Sequence, residues 1–293
     1  MINNYKLKFN EYLNTFNNFL NENIDNLSKT APKIIVDAIS YAVKDGGKRI
    51  RPVLCLATAD ILGVPQQDVL NYALAIELIH SYSLVHDDLP AMDNDDYRRG
   101  KLSTHKKFGE AYGILAGDAL LTLAFELCVN KREISKEEVS VIRTIASCAG
   151  YDGMIAGQVL DLQNEKNDNA DERVLNNIYA NKTAKLIIAP ILVASILLKN
   201  KHLDELTEFG LGLGFLFQIT DDILDAQGDI KTIGKTPKKD VASDKLTSIK
   251  LFGLDGAKER MKIYYDICLK ALSKIPNSDF LKCLTDEIYN RKK

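Results

Sequence analysis

Along most of this chain apolar residues return every three or four positions, with polar residues between them. Tyr5, Phe9, Tyr12, Phe16 and Leu20 form one such row beside asparagines and acids, the pattern of an amphipathic helix, and Pro32 starts a second. The pattern lapses at Gly46-Gly47, and Pro52 suits the first turn of the helix that follows. Asp68 is placed to cap the next helix, whose buried stripe is Val69, Tyr72, Ala73, Ile76 and Ile79. The stretches from Phe108 to about Asn130 and from Lys136 to Asp161 read as long helices despite several glycines. Gly109, Gly113 and Gly117 lie four apart, as do Gly153 and Gly157, which puts small residues on a face that a neighbour can approach closely. Asn164 to Glu172 is polar and turn-rich, a loop before the helix bearing Lys182-Thr183-Ala184. Gly210 and Gly214 precede Gln218 on one face of a later helix and leave room there for a ligand. Few stretches alternate as strands do, so the expectation is an all-α fold: one domain over residues 1–293, with on the order of ten helices or more around a deep central cavity.

Composition narrows the class. The 293 residues are 46% hydrophobic, enough for a substantial core, and 38 basic against 40 acidic side chains leave a net charge of -2. That balance gives no basic surface for nucleic acid, so any anion site is local. Cys55, Cys128, Cys148, Cys268 and Cys283 are scattered and lack metal-ligand spacing, as core thiols of a reducing compartment do. No apolar signal core follows Met1. The longest apolar run, Leu186 to Leu198, contains Pro190 and Ser195 and falls short of the ~20 residues that cross a bilayer. The expectation is a cytoplasmic protein with no membrane span.

Two acidic clusters change the picture. Asp87-Asp88-Leu89-Pro90-Ala91-Met92-Asp93 and Asp221-Asp222-Ile223-Leu224-Asp225 each crowd three carboxylates into a turn or two. Such groups repel unless a cation sits among them, and all-oxygen donors select a hard ion, Mg²⁺ first. At about 100° per residue Gln218, Asp221 and Asp225 share a face, as do His80, Ser83 and Asp87. Pro90 ends the first helix before Leu89, so Asp93 must fold back from the loop. Mg²⁺ is commonly held by one or two carboxylates plus phosphate oxygens. Paired half-sites therefore point to a polyanionic substrate, although either cluster alone would also fit a solvated acidic turn. A calcium loop beginning at Asp93 is excluded, because Arg98 and Thr104 occupy its glycine and glutamate positions. Lys48 and Arg51 stand at a helix start, where dipole and free N–H groups favour an anion. Walker spacing is absent.

These motifs together, Gly46-Gly47-Lys48-Arg49-Ile50-Arg51-Pro52, the two acid clusters and Arg98-Arg99-Gly100, resemble those of the trans-prenyl diphosphate synthases. Within that family the chain is most similar to the bacterial farnesyl diphosphate synthases, which share the Pro-Ala expansion of the first cluster. The resemblance runs from about residue 30 to the C-terminus. It implies metal ligands among Asp87, Asp88, Asp93, Asp221, Asp222 and Asp225, holding roughly three Mg²⁺ ions per site. It also implies isopentenyl diphosphate on Lys48, Arg51, His80 and Arg99, with the allylic diphosphate on Arg98. Lys235 and Lys245 match lysines that close over the diphosphate, with their spacing shifted by about one residue. Gln158 and Asp161 match the family's Gly-Gln-x-x-Asp-Leu motif beside the metals; a buried amide bonding a neighbouring backbone is the plain alternative for Gln158. The tail Arg291-Lys292-Lys293 is similar to a basic C-terminus that folds over the site, and equally to a frayed end.

By the same resemblance, dimethylallyl and geranyl diphosphates ionise and are attacked by isopentenyl diphosphate. Lys182, with Arg98, stabilises the departing pyrophosphate, and Thr183 and Gln218 aim neutral dipoles at the developing cation. Tyr82, about 7.5 Å up the helix from Asp87 at ~1.5 Å per residue, with Ser83 beside it, is the candidate floor for the hydrocarbon tail. An aromatic residue there implies a farnesyl product, with geranylgeranyl diphosphate the nearest alternative and ordinary core packing the plain one. A homodimer through the glycine-faced helix from Phe108 is also implied. A terpene cyclase, a non-catalytic diphosphate-binding partner subunit and a plain helical scaffold are the rival readings.

Overall fold

The structure, a computed structural model, describes residues 2–44, 46–167, 169–227 and 245–291. Among them are thirteen α-helices and one hairpin of two-residue strands, so the fold is all-α. Contacts divide the chain into two compact units, residues 1–56 with 65–134, and residues 57–64 with 135–293.

The first unit holds α1 (Ile2–Asn26), α2 (Lys33–Val43), the start of α3 (Ile50–Leu62), α4 (Gln66–Asp87), α5 (Thr104–Phe108) and α6 (Glu110–Cys128). The row on α1 is buried at Tyr12, Phe16 and Leu20. Pro65 occupies the N-cap of α4, so Asp68 lies inside the first turn instead of capping it. There its charge still suits the dipole. The stripe from Val69 to Ile79 is buried as expected, yet Leu74, Ala75 and Leu78 on other faces are buried too. Such all-round burial makes α4 the central helix of this unit. Its neighbour α6 turns Gly113 and Gly117 inward: a Cβ at Gly117 would lie 2.0 Å from His86 Nε2. The glycine face is thus used inside the unit, and Tyr112, Ile114 and Leu115 are the exposed apolar residues of α6. That helix begins at Glu110 because Gly109, at φ 95, interrupts the run from Thr104.

The second unit contains α7 (Lys136–Ala149), α8 (Met154–Gln163), α9 (Glu172–Ile178), α10 (Lys185–Leu197), α11 (Leu203–Gln227), α12 (Ser248–Leu272) and α13 (Asp279–Tyr289). The single helix expected from Lys136 to Asp161 is two. At Gly153 the chain doubles back so tightly that a Cβ would meet the Ser147 and Cys148 carbonyl oxygens at 2.3 Å. A π-helical turn, Tyr179–Ala184, joins α9 to α10, and two glycines let helices close on it. A Cβ at Gly157 of α8 would stand 2.1 Å from Lys182 N, and one at Gly214 of α11 would stand 2.3 Å from Ala184 Cβ. Gly210 likewise meets Ile188, so these positions of α11 admit a neighbouring helix, not the ligand expected there.

Pro190 lies inside α10 without ending it. As a result Glu172–Leu197 is continuous and, like Glu110–Cys128, is long and apolar enough to cross a membrane by length and composition. The apolar-run count missed this. Of the most apolar window in Glu172–Leu197, 67% is buried inside the fold, as in a core helix.

Candidate active site

In the first unit, the end of α4 and the hairpin after it place the expected residues. The chain leaves α4 at Asp87 and folds back at once: Asp93 N donates to Asp87 O at 2.8 Å and Asp95 N to Asp88 O at 3.1 Å. Asp87 and Asp93 are joined through their backbones, and both are partly exposed. Asp88 is different. It is 2% exposed, and Arg98 donates to it from Nε at 3.0 Å and also from Nη2. Burial alone would lower the Arg98 pKa, but the hydrogen bonds and charge of Asp88 outweigh it and hold the guanidinium above its ordinary value. Both residues, expected on metal and substrate, are engaged with each other.

That pair fixes a hairpin that the sequence did not announce. β1 (Tyr97–Arg98) and β2 (Lys101–Leu102) pair antiparallel across Arg99-Gly100, both at positive φ, 54° and 76°. This is the geometry of a tight two-residue hairpin loop. The turn carries Arg99 back to the Gly46-Gly47 loop, where its Nη1 donates to Gly46 O at 3.0 Å. Gly47 combines φ +95 with a guanidinium 2.9 Å from where a Cβ would stand, so only glycine serves there. Arg49, quoted above without a role, is the anchor. It is buried and paired with Glu77 of α4 at 2.8 Å, and it also donates to the Val43 carbonyl. An acid alone in the apolar stripe of α4 was the available signal, because buried charges are paired.

Lys48 is exposed and Arg51 and His80 are partly exposed. Burial holds His80 well below its ordinary pKa, with Arg51 and Arg99 adding to the effect. Burial also lowers the Arg99 guanidinium, with Glu77 and Asp88 opposing and Arg49 and Arg98 adding to the effect. Like charges crowd one place here, which is the electrostatic condition of an anion site. Ser83 Oγ donates to His80 O at 2.9 Å. Tyr82 is buried with no hydrogen-bond partner for its hydroxyl; burial and then Asp87 raise its phenol. Its ring meets His86 edge-on at 5.8 Å.

In the second unit the expected residues gather on α8, the π turn and α11. Lys182 Nζ donates to Asp161 Oδ2 at 2.5 Å, and Lys245 Nζ stands 4.0 Å from the same oxygen. Gln158 Nε2 is buried without a partner, so the buried-amide alternative, with a backbone partner, is not what the structure has. Thr183 Oγ1 donates to Gln218 Oε1 at 2.7 Å, and Gln218 Nε2 donates to Asp222 Oδ1 at 3.0 Å. Asp222, 5% exposed, also accepts from Tyr179 Oη, Ser248 N and Ser248 Oγ. Burial raises its pKa to about 6 against those donors. Like Asp88, Asp222 was expected on metal and is engaged with protein groups. Asp221 and Asp225 are partly exposed, and Arg291 Nη1 donates to Asp221 Oδ1 at 2.6 Å. Tyr179 and Ser248 carried no signal in the sequence. Lys235, the loop around it from Gly228 to Ser243, Asp244, Lys292 and Lys293 lie outside the described residues.

Among the described residues no three His, Cys, Asp or Glu side chains form a ready cage for a metal. Taken unit by unit, the donor type suits Mg²⁺, with carboxylate oxygens at Asp87 and Asp93 in the first and at Asp221 and Asp225 in the second.

Residues 32–281 match the polyprenyl synthetase family model. A farnesyl diphosphate synthase of Micrococcus luteus is 44% identical over 95% of this chain and 96% of its own. The crystal structure of a geranyltransferase from Legionella pneumophila superposes with a TM-score of 0.86 at 33% identity, covering 98% of this chain and 97% of that one. A Helicobacter pylori geranyltransferase, solved with magnesium and isoprenyl diphosphate, matches at 0.81 and 32%, covering 96% and 95%.

Proposed function

Because the chain belongs to the polyprenyl synthetase family and is a prenyltransferase, we propose that it condenses isopentenyl diphosphate with dimethylallyl and then geranyl diphosphate. The product is (E,E)-farnesyl diphosphate, with release of pyrophosphate. The observation that carries this reading is the crowding of Arg99, Arg51 and neutral His80 around the Gly46-Gly47 loop, on the same unit as the carboxylates Asp87 and Asp93.

Lys48, Arg51, His80 and Arg99 hold the isopentenyl diphosphate head. His80, kept neutral by its surroundings, donates a hydrogen bond without adding charge, and guanidinium forks match phosphate oxygens. Arg98 holds Asp88 and so sets the hairpin from which Arg99 reaches. Asp87 and Asp93 would hold Mg²⁺ in the first unit, and Asp221 and Asp225 would hold it in the second. The metal supplies charge neutralisation on the leaving pyrophosphate. Lys182, oriented by Asp161, and Lys245 beside it add positive charge to the same head group. Gln158 offers its unpartnered amide. Thr183 and Gln218 present neutral oxygens to the cation left when the C–O bond breaks. Loss of a proton to pyrophosphate closes the new double bond, and no protein nucleophile is used.

Tyr82, buried and without a hydroxyl partner, ends the tail pocket. Exposed apolar residues on α6 (Tyr112, Ile114, Leu115) and on α8 (Ile155, Val159, Leu162) support a homodimer. The free thiols, four of the five buried, suit the reducing cytoplasm. The test is incubation with dimethylallyl and isopentenyl diphosphates and Mg²⁺, with products sized by chromatography. Fifteen-carbon product is expected. Twenty-carbon product refutes the role of Tyr82, and binding without condensation leaves only a diphosphate-binding subunit.

A further inference from the structure

The two aspartates of a helical Asp-Asp pair point about 100° apart, so one can face a ligand while the other faces the protein. At the second cluster the structure shows such a division. The Asp221 side chain keeps 38% of its surface exposed and already accepts a cation, Arg291. Asp222 is 5% exposed, and its Oδ2 takes three donors: Tyr179 Oη, Ser248 N at 2.8 Å and Ser248 Oγ at 2.8 Å. A carboxylate oxygen offers about two lone-pair sites. Mg²⁺ binds carboxylate oxygen at about 2.1 Å and would have to displace those donors from a buried atom. On Oδ1, Gln218 Nε2 occupies one direction at 3.0 Å.

The donors come from three different elements, the π turn, α11 and the start of α12. From the last of these, Ser248 N also donates to Tyr179 Oη at 2.8 Å, so Tyr179, Asp222 and Ser248 form a closed knot. The knot also sets an orientation. With Nε2 of Gln218 committed to Asp222, its Oε1 must be the atom that accepts from Thr183 Oγ1 at 2.7 Å. The reversed amide would set two oxygens against each other at Asp222.

We propose that Asp222 is a positioning residue, not a metal ligand: it fixes the Gln218–Thr183 dipoles and ties the π turn to the start of α12, leaving metal at this cluster to Asp221 and Asp225. The proposal rests on the Mg²⁺ reading of the second cluster. Its consequence is that loss of Asp222 slows the chemical step while metal affinity stays.

The experiment compares D221N, D222N, Y179F and S248A in the full chain. Mn²⁺ affinity is read by EPR with inorganic pyrophosphate present, and kcat and KM are measured separately. D221N is expected to weaken Mn²⁺ about tenfold or more. D222N is expected to keep Mn²⁺ affinity within about twofold while kcat falls about 10- to 100-fold, the scale of small misplacements at a reacting centre. The KM values should move much less. Y179F and S248A, which each remove a donor from Oδ2, should lower kcat in the same sense by less and leave Mn²⁺ binding alone. They carry the test should D222N fail to fold. Loss of Mn²⁺ affinity in D222N equal to that in D221N overturns the proposal, and so does wild-type kcat in folded D222N or in both Y179F and S248A. Wild-type Mn²⁺ affinity in D221N overturns the metal reading itself, whatever D222N does.

Discussion

The two units solve one electrostatic problem in opposite ways. In the first, arginines crowd a glycine loop until burial and like charge depress His80 and burial depresses Arg99; the buried acid Glu77 is tied to Arg49, which holds the loop. In the second, Lys182 and Lys245 lean on an internal acid, Asp161. A site whose cations repel one another gains most from an anion arriving from solution, whereas a site whose cations are already countered gains position. The first therefore suits binding a diphosphate head, and the second suits acting on one as it leaves.

Four experiments break or sharpen that contrast. Asp87→Ala should reduce turnover by at least about 10³-fold with little change in unfolding, because it removes charge stabilisation at the reacting group. Pyrophosphate release and a denaturant melt check both halves of the statement, and near-normal turnover removes the first cluster from the chemistry. Glu77→Leu should cost about 3–5 kcal/mol of stability by leaving Arg49 buried without its acid. The double variant Arg49→Met with Glu77→Leu should recover much of that in the same melt. Arg99→Ala should raise KM for isopentenyl diphosphate about 10- to 100-fold, on the scale of about 1.5–3 kcal/mol for one charged hydrogen bond. KM for the allylic substrate should hardly change, and an equal rise for both would erase the division between units.

The smallest effect concerns pH. Unfolded His80 takes a proton near its ordinary pKa of 6.5, whereas in the fold burial, with Arg51 and Arg99, holds it well below. Between those values the unfolded chain binds more protons, so stability falls as pH drops through 6.5. His80→Gln should flatten that part of the Tm-against-pH curve between pH 7 and 5, and an unchanged slope would contradict the assignment.

Much of this was legible before any coordinates. The rows of apolar residues located α1 and α4, Pro90 announced that Asp93 must fold back, and the Asp93–Asp87 backbone bond does that. The family resemblance put Lys48, Arg51, His80 and Arg99 on one diphosphate, and the structure brings Arg51 and Arg99 to bear on His80 within one unit. What stayed hidden depends on neighbours distant in sequence. Gly113 and Gly117 announced a close neighbour without saying which, and Gly214, expected to leave room for a ligand, admits a helix instead, because periodicity cannot tell which neighbour arrives. The π turn adds no residue type that a helix would lack, and Gly150 to Gly153 broke a helix whose apolar pattern continued through it. The difference between Asp87 and Asp88, or Asp221 and Asp222, is invisible in a string of identical letters. It appears only when Arg98, Tyr179 and Ser248 are in place.

The most direct measurement is a crystal structure with Mg²⁺ and a non-ionisable thiolo analogue of dimethylallyl diphosphate. The account predicts metal density at Asp87 and Asp93 and at Asp221, with Asp88 still on Arg98 and Asp222 still on Tyr179 and Ser248. Ordered analogue with those three aspartates turned away from any cation would contradict it.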